Sequence, residues 1–546
     1  MRKLWSFWPL AAAVAVFLLD VWYLYGAIVT KTGGTFTYPL DDSYIHMAVA
    51  RNLAVRGVWG IRPDAFASCS SSPLWTLLLA AIYKLAGFSE FLPLLLASAC
   101  GVGLLAAVFA LLRRYRVGGA ASLALLLAVV FLTPMPALAL AGLEHLLHAL
   151  LTVLALDAGA RLLADPSAPG QPRRGGLFLL LLLPFLVATR YEGLFLAAAL
   201  AVLLLLRKRF LLALVGAAGA ALPVVVYGWV SRAHGWLFLP NSIVAKKAQF
   251  SLNHLGDAFF ALGGRALAQL GWSPYLVSLL LALGLGVYLH RRAVGKGFWE
   301  PLTLMTILLG ATALMHLQCA GIGWFFRYDA YLMAAGLAVL ALLLSAPVRS
   351  VSLADTPWLA LAAAGAFALA MIYPALRGFD AQRHAALAGK NIFQQQCQMA
   401  RFIETYYGDS CVALNDIGAV AFYSRTRCFD LWGLADRSTA SARLEKRFGP
   451  SVIARLAKEN NVRIAIVYPE WFRPSGGLPP EWRGVGQWEL SDNYICAGKM
   501  VTFYAVGAGA ADELRRNLAE FSRALPPGVN VYPPRLDARL ATRPGR

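Results

Sequence analysis

The sequence predicts a polytopic α-helical membrane protein with a C-terminal α/β domain outside the membrane. Three observations carry that expectation. Of 546 residues, 59% are hydrophobic and 14% charged, and the mean hydropathy is +0.60. Such a composition belongs to chains that use the bilayer as solvent. Apolar runs long enough to cross a membrane alternate with short basic clusters. After Pro374 the apolar runs stop, and short strand-like segments alternate with amphipathic ones.

The first run, Trp5 to Ala27, follows Arg2 and Lys3, so its start is expected in the cytoplasm. It is too long for a cleaved signal segment and is read as a retained helix. Basic clusters at Arg113, Arg114 and Arg116, at Arg173 and Arg174, at Arg207, Lys208 and Arg209, and at Arg291 and Arg292 mark cytoplasmic loops. The net charge of +20 therefore reports topology, and nucleic acid is not an expected partner. With these anchors the spans fall near 5–27, 91–112, 119–134, 143–160, 176–189, 193–206, 210–230, 272–289, 299–318, 330–347 and 357–375, about eleven by the length rule. The segment from Pro73 to Gly87 is apolar but short, and reads as an interfacial helix on the outer side.

The expected division is a transmembrane part over 1–378, with a first outer loop at 28–90, and an extracytoplasmic α/β domain over 379–546 ending in a mobile tail from Pro533. FQQQCQMARFIETYY reads as a helix, and CVALND, RCFDL, VRIAIVY and MVTFYAV read as strands. STASARLEKRFGPSVIARLAKE and ADELRRNLAEFSRAL read as amphipathic helices. Four of the seven cysteines, Cys397, Cys411, Cys428 and Cys496, lie in this domain, an even number compatible with disulfides or with buried thiols.

The topology brings most polar residues to one face. Asp41 and Asp42, Glu144 and His145, Arg190 and Glu192, Asn241 with Lys246 and Lys247, and Arg327 with Asp329 all fall at outer span ends. Ionisable residues at membrane depth usually line a cavity or pathway. Arginine and lysine hold phosphate, and a carboxylate deprotonates an acceptor hydroxyl. Without nucleotides outside the cytoplasm, a glycosyl donor there must be lipid-linked. Structural readings stand beside these. The Asp pair could cap a helix, the lysines could snorkel, Arg190–Glu192 and Glu144–His145 could be structural pairs, and Asp416 and Asp430 suit turns.

These residues resemble the GT-C-fold glycosyltransferases that use polyprenyl-phosphate sugars. The sequence is most similar to the group containing the terminal arabinofuranosyltransferase of mycobacterial cell walls. DDSYIHMAVARNLAVRG leading to PLW, GLE at 142–144, RYEG at 190–193, LPNSIVAK at 239–246, FFRYD at 325–329, NDIGAVAFYS and FDLWGLAD follow that group's pattern in order. Asp329 stands where Leu is usual, Tyr191 where Pro is, Ser242 where Thr is, and His145 where a small residue is common. The resemblance implies that Asp41 or Asp42 is the catalytic carboxylate, Asp41 foremost. It implies donor-phosphate or substrate contacts from Lys246, Arg327, Arg190, Glu192, Asn241, Glu144, His145 and Tyr44.

No cofactor is assigned, although the Asp pair could hold a divalent metal. The implied donor is a polyprenyl-monophosphate sugar, with arabinofuranose foremost. The acceptor is a cell-envelope glycan, a glycolipid or an exported protein, and the setting is the outer face of a bacterial cytoplasmic membrane. An oligosaccharyltransferase or polymer ligase using a lipid diphosphate is an alternative. A transporter fits less well, because the polar residues gather at one face rather than at the midplane. The oligomeric state is open. Reporter fusions at Ser167 and Ser475 are expected to report opposite sides of the membrane; the same side for both would overturn the topology.

Overall fold

A computed structural model describes residues 7–165, 174–241, 271, 273–294, 297–321, 323–345, 357–507 and 509–533. A helix underlies every predicted span. Among the described residues six are long and apolar enough to cross a membrane: Trp8–Lys31, Leu92–Arg114, His145–Ala164, Phe210–Ala233, Pro274–Arg292 and Pro301–Cys319. Five further apolar helices are shorter, and one of them is Pro73–Ala86, the segment set apart as interfacial. The chain is thus a multi-pass membrane protein, and the figure of eleven spans goes beyond what these lengths establish. Its apolar side chains do not all turn inward. Leu19, Trp22, Leu211, Leu214 and Trp229 are each more than 60% exposed, as a lipid-facing belt requires.

Helix ends follow local chemistry. Proline occupies the first turn of the helices starting at Trp8, Pro73, Leu92 and Pro301, where its missing N–H costs nothing. The Ser72 hydroxyl accepts from the Trp75 N–H, and the Glu300 carboxylate accepts from the Thr303 N–H. Gly57, left-handed at φ 72°, stops the helix Asp41–Arg56.

The compositional change at Pro374 is not a break in the backbone. One helix runs Pro357–Ile392 through that proline, continues as a π turn over Phe393–Cys397, and resumes as Gln398–Tyr407. The boundary expected at 378/379 therefore falls within a continuous helix. Beyond it lies a six-stranded sheet of order β2-β1-β3-β5-β4-β6. Its strands are β1 (Cys411–Leu414), β2 (Arg427–Asp430), β3 (Val462–Val467), β4 (Arg483–Leu490), β5 (Met500–Ala505) and β6 (Val529–Tyr532). β2, β1 and β3 are parallel, whereas β5, β4 and β6 pair antiparallel.

β4 and β6 were not expected from the sequence. Gly484 and Gly486 bracket a register shift in β4 that breaks its alternation. β6 is a short, exposed edge just before the tail. The segment read as one amphipathic stretch divides into helices Arg437–Leu444 and Pro450–Glu459 at Gly449–Pro450. Of the two alternatives left open for the cysteines, the buried thiols hold: all four of this domain are separate and buried. Cys411 and Cys428 occupy neighbouring strands but are out of register: Cys411 faces Arg427 and Val412 faces Cys428. The two thiols therefore point to opposite faces of the sheet.

The sheet domain is seated on the helix Asp41–Arg56. Gly418 packs so closely there that a Cβ would lie 2.1 Å from the Asp41 carbonyl oxygen. Only glycine permits that approach. Gly418→Val is expected to unseat the domain and to cost on the order of 1.5–3 kcal/mol for each charge-assisted bond lost. A lowered melting temperature and new protease cleavage between the two parts would check it. An unchanged melting temperature would show that this contact is not what holds the domain.

Candidate active site

The acidic pair divides its work by helix geometry. Successive residues on a helix point about 100° apart. Asp41, Tyr44 and Arg51 fall on the face that meets the sheet domain, and Asp42, Ile45 and His46 line a cavity. The Asp41 carboxylate accepts the Gly418 N–H at 2.7 Å and the Ala419 N–H at 2.8 Å. The helix N-cap is Leu40, and Asp41 makes no capping bond within its own helix. The capping alternative for the Asp pair is thereby replaced by a long-range docking contact. Arg51 donates to the Phe422 carbonyl at 3.0 Å, and the Tyr44 ring packs against Phe422 and Tyr423. The Tyr44 hydroxyl accepts the Tyr38 N–H at 3.1 Å, so this residue is part of the seat rather than of the cavity wall.

The cavity has a volume of about 1030 Å³ and is walled by both parts of the chain. Arg327 is 6% exposed and forms an ion pair with Asp42, whose side chain is 49% exposed. The Nε and Nη1 donors of Arg327 have no partner among the described residues. Its Nη2 also lies 3.1 Å from the Tyr328 hydroxyl. Opposite Asp42 stands Asp416, which accepts from Gln396 at 3.0 Å and from the Tyr468 hydroxyl at 3.1 Å. Burial, above all, pushes the carboxyl groups of Asp41 and Asp416 upward; for Asp41 the neighbouring Asp416 adds to this. Asp430, also on the wall, is raised to about 6 by burial, against bonds from the Trp432 and Ala435 amides.

Arg327 is aimed by a strained turn. Phe325 and Phe326 both adopt left-handed backbone, at φ 56° and 55°, a conformation that aromatic residues rarely take. Arg377 braces the turn by pairing with Asp329 and by donating to the Phe326 carbonyl at 3.2 Å. Arg190 lies behind the wall, not on it. It is 4% exposed, binds Glu144 at 2.7 Å and Glu192 at 2.6 Å, and sits 4.7 Å from the centre of the Tyr328 ring. His145 faces the same ring at 5.9 Å. Glu144, His145, Arg190 and Glu192 thus reach the cavity through Tyr328.

Asn241 is a clasp: its N–H donates to the Ser68 carbonyl at 3.0 Å and its Nδ2 to the Gly433 carbonyl at 2.9 Å. Lys246 and Lys247 lie outside the described residues. Of the ten residues expected from the sequence, Asp41, Asp42 and Arg327 come together on the wall. Gln396, Asn415, Trp324, Trp432, Trp471 and Tyr494, also on it, were missed. Asp416 and Asp430 were assigned to turns; Asp430 does hold one, but both face the cavity. Among the described residues no three of His, Cys, Asp or Glu gather to hold a metal ion.

Residues 390–504 match a family model described as a domain of unknown function, DUF8728. No curated protein matches the chain in sequence. Among solved structures, ArnT from Cupriavidus metallidurans bound to undecaprenyl phosphate aligns at 13% identity over 92% of this chain and 98% of that one, with a TM-score of 0.52. Its apo form aligns at 14% over 92% and 99%, also at 0.52. An Archaeoglobus fulgidus oligosaccharyltransferase aligns at 13% over 92% and 75%, at 0.48. The likeness to ArnT establishes the GT-C fold and does not single out the arabinofuranosyltransferase group within it.

The raised carboxyls give stability a pH dependence. A group whose pKa is higher folded than unfolded stabilises the fold fully below its unfolded value, near 4, and loses that contribution as pH rises through the folded value. The melting temperature is expected to fall as pH rises from about 4 towards about 8, the value to which burial pushes Asp41, and Asp416→Asn, which removes the neighbouring carboxyl, should flatten that fall. An identical slope in the variant would remove Asp416 from the account.

Proposed function

We propose that the protein is a membrane glycosyltransferase that takes a sugar from a polyprenyl-monophosphate donor at the outer membrane face. The observation that supports it best is Arg327: a buried guanidinium with two unspent donors on the wall of a cavity, facing Asp42. Such a group holds a phosphate oxygen. The ArnT structure of the same fold holds undecaprenyl phosphate, which supports a lipid-phosphate donor here. The preference for arabinofuranose rests on the sequence motifs.

In this reading the donor phosphate takes over Arg327 and relieves Asp42 of its ion pair. Asp42 then accepts the proton of an acceptor hydroxyl. The hydroxyl oxygen bonds to the anomeric carbon as the bond from that carbon to the phosphate oxygen breaks. Polyprenyl phosphate leaves with its new charge held by Arg327. Asp42 is favoured over Asp41 as the base, because both Asp41 oxygens are committed to backbone amides. Asp41 instead joins the two halves of the site.

The test is to incubate the purified protein with a panel of polyprenyl-phosphate sugars, arabinofuranose among them, and lipid-diphosphate sugars. Consumption of a monophosphate donor is expected. Arg327→Ala should lower transfer by a charge-assisted contact, about 1.5–3 kcal/mol or roughly tenfold to hundredfold. Asp42→Asn should lower it about a hundredfold or more with the melting temperature unchanged. Asp41→Asn should instead lower the melting temperature, since its amide NH₂ would face a backbone N–H. Consumption of only a diphosphate donor, or full turnover by Asp42→Asn, would overturn the assignment.

A further inference from the structure

The parallel half of the sheet presents one edge to the cavity. β1, β2 and β3 end at Leu414, Asp430 and Val467, and the residues just past those ends are Asn415 and Asp416, Trp432, and Trp471. The chain passes from β1 to β2 on one side, then returns to β3 on the other side of β1. Ligands of open α/β sheets bind outside the carboxyl ends of strands at such a reversal. Asn415 sits at that reversal, bridging β1 and β3 by accepting the Tyr468 N–H at 3.1 Å through Oδ1. That bond fixes the orientation of its amide. Its Nδ2 is left with no partner among the described residues, although the residue is only 6% exposed and lines the cavity. A buried donor without a partner is costly unless a ligand supplies one.

Beside it stand two indoles. The Trp432 and Trp471 rings lie 4.6 Å apart at 60°, forming a corner rather than a stack. Neither is loose. The Asp430 carboxylate accepts the Trp432 backbone N–H at 2.7 Å, and the Arg443 guanidinium backs the Trp432 ring at 4.2 Å. Trp471 packs on Tyr468, 5.6 Å away. Asp416 adds a carboxylate able to accept from hydroxyls. Rigid aromatic faces with a few placed polar groups suit a ligand that is apolar on its face and hydroxylated on its rim. A sugar ring has that form. On the sheet-domain side the described lining residues include the acidic Asp416 and Asp430 and no arginine or lysine, which disfavours an anionic ligand there, whereas the donor phosphate is assigned to Arg327 on the membrane side.

We infer that Asn415, Trp432 and Trp471 form the acceptor subsite, and that the acceptor is a neutral carbohydrate rather than a protein. The inference rests on the glycosyltransferase reading and gives a role to the segment matched only as a domain of unknown function.

Binding tests it apart from turnover. The full chain, in lipid nanodiscs free of glycoside detergent, is titrated with a neutral arabino-oligosaccharide, a neutral manno-oligosaccharide and a serine- and threonine-rich peptide. At least one oligosaccharide is expected to bind, and the peptide is not. Trp471→Ala should weaken that binding at least about tenfold, and Trp471→Phe should retain most of it. Asn415→Asp keeps the oxygen that accepts from Tyr468 and puts a second carboxyl oxygen in place of the Nδ2 donor; it should also weaken binding at least about tenfold. Undecaprenyl phosphate binding should be unchanged in both, which marks them as folded. Peptide binding in place of oligosaccharide, no saccharide binding, or wild-type oligosaccharide affinity in Trp471→Ala or in Asn415→Asp would each overturn the proposal. Oligosaccharide binding lost in the variants, with no lipid-phosphate sugar consumed by the wild type, would uphold the subsite and sink the donor reading instead.

Discussion

The contact on which the site depends is the one between the Asp41 carboxylate and the backbone amides of Gly418 and Ala419. Hydrogen bonds from backbone N–H groups to a buried carboxyl gain strength where water is excluded, as it is here. They fix the position of Asp416, two residues earlier, relative to Asp42, one residue later. Neither half of the chain has a site alone. The membrane part supplies Asp42 and Arg327, the sheet domain supplies Asp416 and the indole corner, and this bond sets the gap between them. Asn241 makes a second clasp on Gly433, so the loops after both β1 and β2 are tied to the membrane part.

The π turn at Phe393–Cys397 completes the frame from the other side. Such bulges add one residue to a helix and often mark functional sites. Here three consecutive glutamines are all buried, and each finds a separate purpose. Gln394 donates to the Pro527 carbonyl at 2.6 Å, Gln395 to the Gly498 carbonyl at 3.1 Å, and Gln396 to Asp416 at 3.0 Å. A regular helix would turn these side chains about 100° apart, and the wider turn redistributes them. The long helix that begins at Pro357 thus ends by holding the cavity carboxylate in place.

Much of this was legible in the sequence, and the parts that were not share a cause. Span positions follow from apolar length and basic loops, which act locally. The clustering of Asp41, Asp42 and Arg327 followed from topology, because all three lie at outer span ends. Sequence position could not tell Asp41 from Asp42. Their tasks differ by one helical step, and the difference appears only once Gly418 is known to lie against the first. The same holds for Arg190. Its place at a span end suggested the cavity, but Glu144 and Glu192 together neutralise it one layer behind Tyr328. Asp416 looked like a turn residue because its partners, Gln396 and Tyr468, are 20 and 52 residues away. Trp432 and Trp471 carried no periodic signal, since they belong to loops whose neighbourhood is made by the sheet. Asp-x-Gly and Asp-x-x-Gly-Leu could be seen as patterns. What they mean, a glycine under Asp41 and a glycine carbonyl under Asn241, is a property of the assembled interface.

The aspartate at position 329 gives the turn before it a brace. Its carboxylate is 2% exposed. A lone buried carboxylate would be expensive. Arg377, on the long helix that begins at Pro357, pairs with it, and its guanidinium also lies 4.6 Å from the centre of the Phe326 ring. Breaking such a pair from one side typically costs about 3–5 kcal/mol, whereas replacing both partners by apolar residues is often neutral. The pair is therefore weak evidence for stability as such. Its position gives it another meaning. It holds the end of a turn whose two phenylalanines are in left-handed backbone, and the next residue is Arg327. A flexible turn would let that guanidinium follow Asp42. In the proposed reading a braced one holds Nε and Nη1 in place for a phosphate oxygen, with the ordering entropy already spent before the donor arrives.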